Sequence, residues 1–223
     1  MDPAPGILAL WAAFTASHIG LSSARLRPRL VAALGPLGFQ ALYSVIALAI
    51  FVPLIRLYFV NKHAGPPLWQ IPRGPALTWT VYLGMAVAFV LLASSFLQPS
   101  PAGMAPASLT PRGVQRITRH PLVMSFVVFA AVHLLPNGYA SDVAFFGGFV
   151  AFALLGAAHQ DRRKIATGPE GYAAFVRATP FVPFTGRETL RGLRELAPLA
   201  LVAGIGAALV VRYFHASWFG GNP

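Results

Sequence analysis

Six long apolar runs, each closed by proline, glycine or a cluster of charges, leave this chain few folds to choose from. A helix needs about 20 mostly apolar residues to cross the hydrocarbon of a bilayer. The runs 5–23, 37–59, 76–97, 121–135, 140–160 and 196–214 approach or reach that length. Composition agrees: 56% of the 223 residues are apolar and 10% are charged, whereas a water-soluble chain carries about a quarter charged residues. The reading is an all-α, polytopic membrane helix bundle of about six transmembrane helices, forming one integral membrane domain over 1–223. The first run is expected to stay attached and span, because Met1-Asp2-Pro3 offers no basic leader and Ser17 and His18 interrupt the apolar stretch.

Orientation follows from where the cations fall. Arg25, Arg27 and Arg29, then Arg112, Arg116 and Arg119, then the seven from Arg162 to Arg194 place thirteen Lys and Arg in alternate connections, against four on the other side. Cytoplasmic loops collect positive charge. Both termini are therefore expected on the opposite side, periplasmic if the membrane is a bacterial inner membrane. The same rule accounts for the net charge of +11. Nucleic acid is not expected as a partner, since neither a basic domain nor an aromatic stacking platform is present.

The fourth run is short: Pro121 to Pro136 encloses about 14 residues, or about 21 Å of helix, against a hydrocarbon core near 30 Å. Gly35, Gly84, Gly147, Gly148, Gly156, Gly204 and Gly206 are expected where helices approach closely. A Pro/Ala-rich linker covers Gln98 to Pro111.

The chain has no cysteine, which excludes disulfides, zinc-thiolate sites, iron–sulfur clusters and thioether-linked haem. No Ser/His/Asp triad, phosphate loop or HExxH motif occurs, and six acidic residues leave hydrolysis little to work with. Polar groups that persist inside hydrocarbon are functional candidates. His18 in the first span and His133 late in the fourth are the two deepest imidazoles, and two histidines from different helices are what a six-coordinate b-type haem iron requires. Depth complicates the pairing. His18 lies about 10 Å inside the cytoplasmic boundary, whereas His133 lies about 20 Å from Pro121. On depth alone His18 with His120 and His159 makes a rival cluster, so His120 or His159 could stand in for His133. His63 and His215 read as interfacial residues.

The densest motif is Arg116-Ile-Thr-Arg-His-Pro121. Its proline suits a first helical turn, so Arg116, Arg119 and His120 sit at a helix entrance where amides and guanidinium groups can hold an anion. Asp161, within His159-Gln-Asp-Arg-Arg-Lys164, can pair with Arg116 or Arg119, and Arg162 joins the set. These residues serve equally as a topology-setting basic collar, as a lipid headgroup site, or as partners for haem propionates. After the fifth span, Gly168 to Phe175 and Thr179 to Phe184 read as a short interfacial segment ended by prolines. Leu68-Trp69-Gln70 reads as an aromatic anchor on the other side.

Taken in order, Ser17-His18-Ile-Gly20, Leu68-Trp69-Gln70, Arg116-Ile-Thr-Arg-His-Pro121, Val132-His133-Leu134, Gly156 with Asp161-Arg162-Arg163, and Pro183-Phe184 make the chain resemble the NnrU family of bacterial membrane proteins. That family includes 15-cis-zeta-carotene isomerase as a homologous branch. The resemblance implies a haem b iron held by His18 and His133, with Arg116, Arg119, His120 and Arg162 as cytoplasmic-side support. It also implies redox-gated cis–trans isomerisation of a lipophilic polyene, with an electron donor as partner and membrane lipids around it. His159 stands where the isomerase branch carries Asn. The family name points to a second role, a non-enzymatic haem- or NO-linked accessory or sensor of nitrite and nitric oxide metabolism, that is, denitrification.

A fainter resemblance joins Arg119-His120-Pro121, Asp161-Arg162-Arg163 and the Tyr172 to Pro183 tail to the isoprenylcysteine and phospholipid methyltransferases. It implies related architecture. Methyl transfer from S-adenosylmethionine is a third reading, against which Val123 replaces an expected tyrosine and the binding glutamate pair is missing.

Overall fold

The structure, a computed structural model, describes residues 2–103 and 107–220. Among the described residues eight α-helices form: α1 Ala4–Leu21, α2 Leu26–Val60, α3 Pro75–Leu97, α4 Pro121–Leu134, α5 Ala140–Thr167, α6 Tyr172–Ala178, α7 Thr189–Arg194 and α8 Pro198–Phe219. Among the described residues the only β-type pairing is an isolated bridge between Pro67 and Tyr139. Five helices, α1, α2, α3, α5 and α8, are long and apolar enough to cross a membrane, and α4 is a shorter apolar helix. The chain is a polytopic helical membrane protein.

Helix starts follow proline chemistry. Pro75, Pro121 and Pro198 each open their helix, where a missing N–H costs nothing and the fixed φ already suits the first turn. Inside α2, Gly35 adopts φ 72° and ψ 168°, a left-handed backbone that L side chains avoid. The helix breaks there, giving an arm over 26–34 and a span over 36–60. Two helices run past their expected ends. α5 continues through the charged stretch to Thr167, and α8 continues through Arg212 to Phe219. Charge ends a helix's contact with hydrocarbon without ending its backbone hydrogen bonding, and a long arginine can reach outward from an apolar helix.

The chain divides into two compact units. The first, Met1–Ile71 with Leu134–Thr167, packs α1 against both α2 and α5. Its centre is aromatic. Trp11 lies within 6.5 Å, centroid to centroid, of Phe14, Phe51, Phe145, Phe149 and Phe152, and Tyr58 stacks flat on Phe145 at 3.9 Å. The indole N–H donates to the Phe145 carbonyl at 3.1 Å. Gly148 makes that approach possible, since a Cβ there would collide with the indole.

At the start of α5 the fully buried Asp142 accepts bonds from the Tyr58 hydroxyl (3.0 Å), the His63 amide (3.3 Å) and His63 Nδ1 (3.0 Å). This network pins the α2–α3 connection. His63, expected as a plain interfacial residue, is part of it because a buried carboxylate must be hydrogen-bonded. Trp69 donates to the Leu134 carbonyl at 2.9 Å, so the expected anchor also caps a helix end.

The second unit, Pro72–His133 with Gly168–Pro223, pairs α3 with α8. Gly204 on α8 meets the backbone of Val90, and Gly84 on α3 meets Val132 of α4. Of the seven glycines expected at close approaches, Gly84, Gly148 and Gly204 serve that way. Gly35 serves as a break, and a Cβ at Gly147, Gly156 or Gly206 meets no described atom within 4 Å. The linker after α3 is packed: Ala102 forms a small core with Tyr172 and Phe175 of α6.

Candidate functional site

His18 and His133 are built alike. His18 sits in the last turn of α1, with Nδ1 3.2 Å from the carbonyl of Phe14 four residues earlier. His133 sits in the last turn of α4, with Nδ1 2.7 Å from the carbonyl of Phe129, again four residues earlier. A carbonyl can only accept, so in each ring Nδ1 carries the hydrogen and Nε2 carries the lone pair. That is the tautomer in which an imidazole binds a metal, and a carbonyl bond to the far nitrogen is the usual way of fixing it. The phenylalanine that supplies each carbonyl also packs on the ring, at 4.1 Å between centroids for Phe14 and His18 and 4.3 Å for Phe129 and His133.

The repeated Phe-x-x-x-His at 14–18 and 129–133 was visible in the sequence as a signal beyond the histidines themselves. An i, i+4 pair shares one helix face, so the motif announces an imidazole backed by an aromatic.

Each ring has further neighbours within its own unit. Around His18 stand Tyr43 at 4.8 Å and Phe152 at 5.2 Å, both edge-on. In the same unit, next to Trp11, α1 and α5 form an open apolar groove of about 540 Å³ lined by Trp11, Ala12, Thr15, Gly147, Gly148 and Ala151. Around His133, the ring of His215 lies 6.4 Å away and within 28° of parallel. His215 was expected at an interface outside the sixth span, but α8 extends to Phe219 and so places it within the helix.

As a fit test for the expected cofactor, the donor sets decide. Among the described residues no three His, Asp or Glu side chains converge to hold a metal ion, so a non-haem centre built from three protein ligands has no donors. A porphyrin supplies four nitrogens of its own and asks the protein for one or two. Two tautomer-fixed imidazoles with aromatic backing fit that requirement.

The basic motif has a different local chemistry from the one expected. Gly113–Arg116 forms a 3₁₀ turn, and the anions that meet Arg116 belong to the chain. Its Nε donates to Glu195 at 2.9 Å and its Nη1 to Glu188 at 3.0 Å. Glu195 also accepts from the Gly113 amide at 2.9 Å and from Arg191 Nε at 2.8 Å. The Gly113 amide first, and then Arg116, hold the Glu195 carboxyl down at about 2, from an ordinary 4.5. The same pairing raises Arg191.

Arg119 donates to the Thr179 carbonyl at 2.8 Å and lies over the Phe181 ring. His120 is buried, edge-on to Phe181 at 5.4 Å. Arg162 is exposed at the far end of α5. Glu188 and Glu195, the acids that meet Arg116, were not anticipated from the sequence. The spacing Glu188-x-x-Arg191-x-x-x-Glu195 was the available signal, since i, i+3 and i, i+4 pairs meet on a helix.

Comparison with known proteins adds the family. The chloroplastic 15-cis-zeta-carotene isomerase of Arabidopsis thaliana is 28% identical over 198 residues, covering 85% of this chain and 53% of that protein. The chloroplastic enzyme of the same name from Zea mays is 27% identical over 192 residues, covering 82% of this chain and 52% of that protein. The chain thus spans about half the length of the curated relatives it matches. No solved structure gives a significant match. A family model described as NnrU protein matches residues 7–223, and with nearly the whole length inside that match the chain belongs to the NnrU family.

Proposed function

We propose that this protein binds haem b through His18 and His133 and catalyses cis–trans isomerisation of a double bond in a lipophilic polyene. The observation that carries the cofactor half is the shared construction of the two histidines, each with Nδ1 bonded to the carbonyl of a phenylalanine one turn back. The reaction half is supported by likeness to two proteins named 15-cis-zeta-carotene isomerase. The open apolar groove beside Trp11 suits a long, flexible hydrocarbon, since such a ligand needs walls without polar groups. When bound, haem would supply an iron whose oxidation state tunes its interaction with a π system.

The chain's own residues do the rest. His18 and His133 present Nε2. Phe14 and Phe129 hold the ring planes and keep water away. Arg116 and Arg119 keep the cytoplasmic connections folded around His120, and Arg162 is the exposed cation of the set available to a carboxylate. The chain is assigned to a bacterial inner membrane with both termini periplasmic, which reporter fusions at each end would test.

The test is optical. Protein purified after haem-replete expression is expected to show a low-spin bis-imidazole spectrum, oxidised and reduced, that His18→Ala and His133→Ala each alter. A colourless wild type overturns the cofactor assignment. Cells given a cis-carotene are then expected to accumulate the trans product when they express the wild type and not when they express His18→Ala. Coloured protein without conversion overturns the isomerase reading and favours a non-enzymatic haem protein that binds a diatomic such as NO.

A further inference from the structure

The face of α5 that packs on α1 does not end at the aromatic cluster. Phe152, Gly156, His159 and Arg163 follow at spacings of four, three and four residues, which keeps them on one side of the helix. Phe152 stands edge-on to His18 at 5.2 Å, so the three residues after it lead from that ring toward the end where the cations of this unit collect. At Gly156 an added Cβ meets no described atom within 4 Å. The glycine therefore leaves room on this face, one turn before His159.

His18 also ties this face to α2. Tyr43 lies edge-on to His18 at 4.8 Å, with its hydroxyl 3.4 Å from the His18 carbonyl, and the Ser22 hydroxyl donates to the same carbonyl at 2.5 Å. A 3.4 Å contact is long for a hydroxyl donor, so the Tyr43 proton is available to a better acceptor. The Arg163 charge reaches that hydroxyl. His159 Nε2 is shielded from solvent and has no hydrogen-bond partner among the described residues. Leaving a shielded polar nitrogen unsatisfied is costly, and such an atom calls for a ligand.

Charge says which kind. Arg25, Arg27, Arg29, Arg162, Arg163 and Lys164 gather at this end of the unit, with Asp161 as the acid among them. Asp161 is two residues from Arg163, about 200° around the helix, and so faces away from the His159 side. Arg162 is exposed and about 100° off the same face.

We propose that His159, Arg163 and Tyr43 form an oxyanion pocket at the basic end of the first unit, for a carboxylate or phosphate carried by a membrane-embedded molecule. Arg163 supplies the charge, and an N–H at His159 Nε2 and the Tyr43 hydroxyl donate to the oxygens. Two molecules present such a group beside an apolar body: a porphyrin through its propionates and a lipid through its phosphate. The first source rests on the haem reading above, whereas the second does not.

Two comparisons on the whole chain in nanodiscs test the pocket and tell the sources apart. Protein purified without haem is titrated with haem and with haem dimethyl ester, which lacks the carboxylates. The same protein is melted in discs of phosphatidylcholine with and without phosphatidylglycerol. Wild type is expected to bind haem about tenfold more tightly than the ester, which assigns the pocket to a propionate. Equal binding of both porphyrins, with an unfolding midpoint about 2–4 °C higher in the phosphatidylglycerol discs, assigns it to a lipid phosphate. Arg163→Gln and His159→Leu should each remove whichever difference the wild type shows. Arg163→Lys keeps a charge and His159→Asn keeps a donor, so both should retain part of it, which shows that the loss is not misfolding. Arg29→Gln removes one charge from the same end and should leave the difference intact.

The inference is overturned if neither comparison separates wild type from Arg163→Gln and His159→Leu. It is equally overturned if Arg29→Gln weakens the difference as much as Arg163→Gln, since the effect would then belong to a general basic collar. A wild type that binds neither haem nor its ester overturns the haem reading and leaves the pocket to be decided by the lipid comparison alone.

Discussion

The interior of the first unit and the connecting segments of the second hold helices together with opposite chemistries. Around Trp11 cohesion comes from rings, with five phenylalanines and one indole N–H bond to a carbonyl. Around Arg116 it comes from charges and amides, with two arginines, two glutamates and the Gly113 amide in one network. Solvent explains the contrast. Lipid tails are as apolar as the helices, so packing between spans rests on fitted shape rather than on escape from water. The loops lie outside the hydrocarbon, where ion pairs can be solvated on one side and held on the other.

The two chemistries should fail differently. Trp11→Ala removes the centre of the ring cluster and is expected to destabilise the first unit by about 3–5 kcal/mol, read as a lowered unfolding midpoint in detergent. Gly148→Ala forces the indole away from the Phe145 carbonyl and is expected to cost about 1–3 kcal/mol, with a blue-shifted or broadened Trp signal as its marker. A Gly148→Ala protein as stable as wild type would mean that ring fit is not what joins α1 to α5.

Acid should attack the other region. The folded pKa of Glu195 is depressed to about 2 from an ordinary 4.5. Its stabilisation is therefore complete above about pH 4.5 and is lost as the pH falls through about 2. Hydrogen exchange over 189–197 should accelerate across that window while the amides of α1 stay protected. Equal acceleration in both regions would erase the contrast. High salt should act in the same direction, more weakly, because Arg116 is mostly shielded.

The smallest effect sharpens the comparison most. Gly147 adjoins Gly148 yet has no described atom within 4 Å of an added Cβ, and it lines the open groove. Gly147→Ala is expected to stabilise α5 by about 0.5–1 kcal/mol through lower backbone entropy in the unfolded chain, the reverse of its neighbour. Gly147→Phe should fill the groove and cut polyene conversion with an unchanged haem spectrum.

Much of this was legible in the chain and some was not, for physical reasons. Apolar length marked all six helical runs, and the starts at Pro75, Pro121 and Pro198 fall within two residues of the expected ones. Helix ends were less legible. The fifth run was closed at 160 by the charges after His159 and the sixth at 214, but a helix continues wherever its backbone bonds can form. That error set His215 outside the sixth span. Asp142 went unread as a structural acid because its partners lie far along the chain, at Tyr58 and His63; for Glu188 and Glu195 only the local pairing with Arg191 was legible, not the distant Gly113 and Arg116. Spacing reveals a partner one turn away and is blind to one brought near by folding.

α4 carries a consequence of another kind. At 14 residues, it is about 21 Å long against about 30 Å of hydrocarbon, so a crossing there requires a thinned bilayer or connections that enter it. A given membrane potential dropped over that length produces a field about 1.4-fold stronger than over a full span, on a scale of about 2.3 kcal/mol per charge per 100 mV. On the haem assignment proposed above, an electron delivered beside His133 would therefore sense the membrane potential more steeply than one delivered along α3.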